Sequence, residues 1–183
     1  GRAHGGACGD GELTATSGFV ATARDAVAVR AHTGHAIHLT RDGTVMGTGG
    51  NRFGPLSRHG LGDKADRWGP IFSGAVAIAT GSRHSLAIRA DGSLWAWGEG
   101  FATRPAPLMQ QVRAVAAGDT ATIAITADGA LWLGVEGGAI RFDGKGWSTY
   151  HPTVGSFDSG VIAIAVGRDG AMWFGEWHWE RPN

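Results

Sequence analysis

Four times along the chain a run of small and β-branched residues leads into an Asp-Gly pair and on to a second apolar run. The runs are Ala26-Val27-Ala28-Val29 before Asp42-Gly43, Ala75-Val76-Ala77-Ile78 before Asp91-Gly92, Ala114-Val115-Ala116-Ala117 before Asp128-Gly129, and Val161-Ile162-Ala163-Ile164 before Asp169-Gly170. A recurrence of this size predicts stacked supersecondary units. Successive Asp-Gly pairs lie 49, 37 and 41 residues apart. That spacing fits four-stranded blades of roughly 40 to 50 residues with variable loops better than a short-period solenoid. The predicted class is all-β: a β-propeller or partial propeller of about four blades, each an antiparallel four-stranded sheet. One repeat domain spans the chain, with blades at approximately 20–70, 71–110, 111–150 and 151–179.

The second repeat, Val76 to Gly98, shows the physics most clearly. Apolar residues alternate on both sides of Asp91-Gly92, which predicts two half-buried strands joined by a tight hairpin. If Asp91 and Gly92 are the two turn residues, Ala90 faces Ser93, Arg89 faces Leu94 and Ile88 faces Trp95. The same rule sets Leu39 against Met46, Ile125 against Trp132 and Val166 against Trp173. Each repeat then places a large residue against a leucine or β-branched partner. The Ala and Val runs carry small residues on both faces, as suits a crowded inner strand where sheets converge.

Val76 to Gly98, and Val27 to Leu56 with its Gly49-Gly50-Asn51-Arg52-Phe53-Gly54-Pro55-Leu56 segment, resemble repeats of the regulator of chromosome condensation family. Its Gly-x-x-His element stands here as Gly81-Ser82-Arg83-His84. In the first repeat His32 takes the glycine's place ahead of His35, and in the third, Gly118-Asp119-Thr120-Ala121, the histidine is gone. The last repeat, Arg141 to Trp147 followed by Ile162 to Gly175, looks more like the propeller repeats of bacterial two-component sensors. The resemblance covers about residues 20 to 176. It implies a β-propeller, usually of about seven blades, and a role in binding proteins such as small GTPases, chromatin or, in a bacterial inhibitor, β-lactamases.

At roughly 43 residues per blade, 183 residues make about four blades. An incomplete ring leaves sheet edges and faces unpaired. Three arrangements resolve this: a compact ring of four or five blades, two chains completing one ring, or a piece of a longer protein. Residues 1–19 are a possible ring-closing strand, with 11–20 pairing near Trp173 to Trp179.

Charge is balanced at 16 basic and 16 acidic residues, so no nucleic-acid partner is expected, and chromatin is disfavoured for want of a basic excess. No stretch approaches the ~20 apolar residues of a membrane-spanning helix. A single cysteine, Cys8, cannot staple the fold to itself. The 32 glycines and the excess of Arg over Lys suggest a GC-rich bacterial genome. Gly1 in place of Met allows for an earlier segment, such as a secretory signal, which puts a bacterial exterior or periplasm ahead of the cytoplasm.

Functional groups of a propeller sit on loops and rims. The longest insertion, Gly50 to Gly69, carries Arg52, Phe53, Arg58, His59, Lys64, Arg67 and Trp68, a basic and aromatic mixture enriched at recognition sites. The competing reading is a solvated connector with Phe53 and Trp68 folded back on the wall. A second aromatic group contains Trp147, Tyr150, His151, Trp173, Phe174, Trp177, His178 and Trp179. Alternation puts Trp177 and Trp179 on one face. Trp173 reads as core, while Trp177 and Trp179 are either core or a stacking platform. His32, His35 and His38 lack the carboxylate or thiol needed to complete a metal set, so no metal or cofactor is expected. His35 and His84 occupy matched positions and are expected to bond backbone within their own sheets.

No catalytic motif stands out. The predicted function is a non-enzymatic binding or scaffold module that recognises a protein or glycan through Arg52, Phe53, Arg58, His59, Arg67, Trp68, Trp147, Tyr150, Trp177 and Trp179. The alternatives are a propeller lyase or hydrolase with a channel-mouth site, for which Glu176 and His178 could supply a base, and a self-assembling homo-oligomeric subunit.

Overall fold

The computed structural model describes residues 23, 25–57, 63–119, 121–135, 138–150, 161–166 and 172–176. Every element among them is a strand. The first sheet is the meander β1 (Ala26–Ala31), β2 (His35–Thr40), β3 (Val45–Gly50), β4 (Lys64–Phe72), and the second is β5 (Ala75–Thr80), β6 (His84–Arg89), β7 (Leu94–Gly98), β8 (Ala106–Met109). The third sheet adds a fifth strand: β9 (Val112–Ala117), β10 (Thr122–Thr126), β11 (Leu131–Val135), β12 (Gly138–Phe142), β13 (Trp147–Tyr150). Finally β14 (Val161–Val166) and β15 (Met172–Glu176) form a two-stranded pair. All pairings are antiparallel.

The sheets stack face to face. β5 lies against β1 and β2, and β9 lies against β5 and β6, so each inner strand packs on the inner half of the preceding sheet. This is the blade-on-blade arrangement of a β-propeller. Between the first and second sheets Ile37, Leu39, Val45, Leu56, Ile78 and Trp97 form one core, and between the second and third Leu86, Ile88, Leu94, Val112, Ala124 and Trp132 form another. Burial of each large side chain contributes about 1.5–3 kcal/mol. Small residues do not mark a uniformly crowded axis: β5 is mostly buried, while β1 is open along most of its length.

The hairpin registers differ by one residue from those the Asp-Gly pairs suggest. Ile88 faces Leu94 and Trp95 faces Ala87; likewise Met46 faces His38, Trp132 faces Ala124 and Trp173 faces Ala165. The cause is visible in the first three turns. Arg89 N donates to Ser93 O at 2.9 Å and Gly92 N to Arg89 O at 3.0 Å, closing a loop of Ala90, Asp91 and Gly92, and the same pair of bonds spans Thr40 to Thr44 and Thr126 to Ala130. In each of these loops only the glycine adopts positive φ: Gly43 85°, Gly92 79°, Gly129 87°. This is a turn followed by a left-handed glycine, the three-residue hairpin loop.

The aspartate's role in these turns is side-chain capping. Asp42 Oδ1 accepts the Thr44 amide at 3.1 Å, Asp91 the Ser93 amide at 2.9 Å and Asp128 the Ala130 amide at 3.2 Å, as in an Asx turn. Hydroxyl groups of Thr40, Ser93 and Thr126, followed by these amides, hold the three carboxyls below the usual range. With a three-residue loop, Trp95 and Trp132 each oppose an alanine, which leaves room for the indole against the neighbouring sheet.

Candidate functional site

The seams between sheets carry a repeated polar bond. His35 and His84 each stand seven residues before their Asp-Gly aspartate, and Ser85 and Thr122 each stand six before theirs. His35 Nε2 lies 3.0 Å from Ser85 Oγ, and His84 Nε2 lies 3.3 Å from Thr122 Oγ1. Each histidine therefore engages a hydroxyl of the following sheet, where bonds to the backbone of its own sheet were expected. Ala121, the third equivalent, has no ring to continue the series. Burial is the main cause that lowers His35 and His84 to about 4, with further lowering from nearby histidines: His84 and His32 for His35, and His32 for His84. Both rings are neutral at pH 7.

Beside the first seam, the segment after β3 folds into a pinned loop. Asn51 N donates to Asp63 O at 2.6 Å, Leu56 N donates to Asn51 Oδ1 at 3.1 Å, and Gly54 N donates to Asn51 O at 2.9 Å. Leu56 is fully buried in the first core. The carbonyl of Pro55 accepts from Ser85 Oγ at 2.9 Å and from Trp97 Nε1 at 2.6 Å, so the loop is fastened to the second sheet as well as to its own.

This anchoring presents Phe53 at the edge of an open groove of about 310 Å³, lined by Thr33, Gly34, Arg52, Phe53, Ser82 and Arg83, with His35, Gly50 and Pro55 below. The Arg83 guanidinium sits 4.3 Å from the Phe53 ring centroid, and that of Arg52 sits 5.6 Å away. Arg83 Nη1 also donates to both Glu99 oxygens at 3.0 Å. An aromatic ring flanked by two cations, one of them held in place by a carboxylate, favours an anionic or aromatic group entering from solvent.

A polar clasp lies next to the groove, at the turns between the first two strands of each sheet. Ser82 Oγ donates to Asp119 Oδ1 at 2.6 Å, and His32 places Nδ1 3.4 Å from Ser82 Oγ and Nε2 3.3 Å from Asp119 Oδ1. The three residue types match a nucleophilic triad, yet the geometry does not. The serine proton is given directly to an exposed carboxylate, so the imidazole has none to withdraw.

The residues singled out in the sequence separate into three places. Arg52 and Phe53 line the groove. Arg67 and Trp68 belong to β4, whose start at Lys64 makes the second half of the Gly50 to Gly69 insertion a strand, and Trp68 meets His38 edge-on at 4.4 Å. Trp147 lies 4.7 Å from Phe142, its cross-strand partner, while Tyr150 stacks on Trp132 at 5.4 Å. These two stand an odd number of residues apart on β13, so they face opposite ways. Arg58, His59, Trp177 and Trp179, together with Glu176's neighbour His178 and the proposed closing strand in 1–19, lie outside the described residues. Arg83 was not among the sequence candidates; its signal was its place at a variable position of Gly81-Ser82-Arg83-His84.

Residues 75–101, β5 through the turn after β7, match the model of the regulator of chromosome condensation (RCC1) repeat. That stretch is similar to the repeat. The matched stretch holds three of the four strands of the second sheet, β5 to β7, and its Gly-x-x-His element supplies both Arg83 and the seam histidine His84. Over 72 residues the chain is 33% identical to the ultraviolet-B receptor UVR8 of Arabidopsis thaliana, a match covering 36% of this chain and 16% of the receptor. Among solved structures it is similar to human WBSCR16, with TM-score 0.65 at 16% identity, covering 74% of this chain and 42% of that one. It is also similar to Prp20p from Saccharomyces cerevisiae, with TM-score 0.57 at 20% identity, covering 68% and 34%. The chain thus spans less than half the length of each relative. At these identities the structural likeness establishes the repeat propeller fold.

Proposed function

We propose that this chain is a protein-binding module whose contact surface is the groove around Phe53. The observation that carries the reading is the ring of Phe53 beside the Arg83 and Arg52 guanidinium groups, on a loop fastened at Pro55 to the second sheet. A preorganised loop loses little entropy on binding, and aromatic and arginine side chains dominate interface energetics. The RCC1-repeat fold supports the same reading, since Prp20p, a structural neighbour, is described as binding Gsp1p and histones. The partner suited to this groove is a peptide segment that presents a carboxylate or an aromatic ring to the two arginines. Binding by fluorescence anisotropy to a panel of acidic peptides and their Asn/Gln counterparts tests it. Acidic peptides are expected to bind more tightly, with Phe53→Ala and Arg83→Ala each weakening binding about tenfold or more. Equal binding by both variants overturns the reading.

A further inference from the structure

Arg89 is the last residue of β6, at the opposite end of that strand from His84 and the groove. Its guanidinium carbon stands 4.3 Å from the Trp95 ring centroid and 4.8 Å from that of Phe72, the last residue of β4. Trp95 belongs to the second sheet and Phe72 to the first, so the cation sits at the seam between them. The two rings are 5.5 Å apart and tilted by 49°, and the guanidinium caps the notch they form. Both rings are fixed. Trp95 Nε1 donates to Ser93 Oγ at 3.0 Å, and Ser93 Oγ donates to Asp91 Oδ1 at 2.6 Å. Phe72 stacks on the buried Trp97 at 5.6 Å, with 23° between the ring planes.

The rings attract the charge of Arg89 but leave its in-plane donors without acceptors. Arg89 makes no ion pair and no side-chain hydrogen bond among the described residues, and its Nε is buried without a partner. Its terminal nitrogens keep contact with solvent, since Arg89, Trp95 and Phe72 are each half-buried. An arginine has five N–H donors in a planar fork, and here the fork is positioned and unused.

The third sheet holds the same pair of side chains with partners in place. Trp132 is the equivalent of Trp95: each stands four residues after its Asp-Gly aspartate and faces an alanine across the hairpin. The Arg141 guanidinium lies 5.7 Å from the Trp132 ring centroid, and its Nη2 meets Asp128 Oδ2 at 3.6 Å while its Nη1 meets Asp143 Oδ2 at 3.5 Å. Asp91, the equivalent of Asp128, makes no such pair with Arg89. The second sheet therefore has the arginine and the tryptophan of the third, without the carboxylates.

We propose that the notch at Arg89, Trp95 and Phe72 is a second binding site, which takes a carboxylate from an Asp or Glu side chain of a partner protein. The two terminal nitrogens donate to the carboxylate oxygens, and the rings pack against the methylenes that carry the acid. That apolar contact favours a side chain over a free small carboxylate. The site shares no residue with the groove and stands whether or not the groove binds a peptide.

Side-chain NMR of the full chain tests it, with the Arg89 and Trp95 signals assigned through Arg89→Gln and Trp95→Phe. The probes are a blocked Gly-Glu-Gly peptide, its Gly-Gln-Gly counterpart and acetate. The Glu peptide is expected to shift both signals saturably in the millimolar range, with a Kd about fivefold or more below that of acetate, and the Gln peptide to leave them in place. Arg89→Gln is expected to abolish the Trp95 response, while Arg83→Ala keeps it. Circular dichroism checks the fold of the variants, and the wild-type titration decides without them. Absence of saturation, equal shifts with the Gln peptide, or a Trp95 response that survives Arg89→Gln overturns the site. Acetate binding as tightly as the Glu peptide overturns the assignment to a protein side chain.

Discussion

His35 and Ser85, 50 residues apart in sequence, are joined at 3.0 Å across the seam between the first and second sheets. Ser85 Oγ in turn donates to Pro55 O at 2.9 Å. A buried neutral histidine therefore sits one hydroxyl away from the loop that presents Phe53, and seam and groove are parts of one network.

That coupling makes stability acid-sensitive. Burial lowers His35 and His84 from 6.5 to about 4, so between those values the unfolded chain binds more protons than the folded one and stability rises with pH. The contribution is complete above about pH 6.5 and is lost as pH falls toward about 4, at up to roughly 1.4 kcal/mol per pH unit for each histidine. Urea midpoints are expected to drop between about pH 7 and pH 5, and a His35→Gln, His84→Gln double variant is expected to flatten that slope.

Glycines at positive φ divide into two classes by what surrounds them. Gly129 has φ 87° with nothing within 4 Å of the place a Cβ would take, whereas at Gly98, φ 108°, a Cβ would fall 2.5 Å from the Arg83 carbonyl oxygen. Gly129→Ala is expected to destabilise by about 1 kcal/mol, the conformational cost alone. Gly98→Ala adds a backbone clash and is expected to cost more than about 2 kcal/mol. Denaturant unfolding of the two variants measures the difference.

Trp97 is fully buried, and its Nε1 donates to Pro55 O at 2.6 Å. Trp97→Phe keeps most of the apolar volume and removes the bond, with an expected loss of about 1–2 kcal/mol. Because Pro55 anchors the groove loop, amide hydrogen exchange over residues 51–57 is expected to accelerate more than exchange in the third sheet.

The ion pair of Arg83 with Glu99 is partly exposed on both sides, so it contributes about 0–1 kcal/mol to stability. Glu99→Gln is expected to leave the melting temperature nearly unchanged while releasing Arg83 toward incoming carboxylates. Tighter binding of acidic peptides by this variant, weakened again by salt, is the expected outcome.

The repeat organisation was legible because Ala-Val runs and Asp-Gly turns recur at blade spacing, and the RCC1-repeat resemblance followed from Gly81 to His84. Register was not legible from the turns. Asp-Gly serves a two-residue loop as readily as the last two places of a three-residue one, and the choice depends on capping by residues such as Thr40, Ser93 and Thr126. That single-residue difference reassigned every cross-strand partner of Met46, Trp95 and Trp132. Arg52 and Phe53 were identifiable as a basic and aromatic pair on an insertion. Arg83 was hidden because it joins them only when two sheets, distant in sequence, are stacked. Trp68, Trp147 and Tyr150 looked like one kind of residue in the sequence, yet strand pairing sends them to separate surroundings.

The seam histidines reach forward, each to the sheet that follows. A tandem copy of residues 75–109 inserted after the original would bring its own ring for the next sheet and its own hydroxyl for the previous one, so both junctions would be complete at once. Gene duplication can therefore lengthen such an array without inventing new chemistry at the joints, and chains of quite different length can descend from a single ancestral unit.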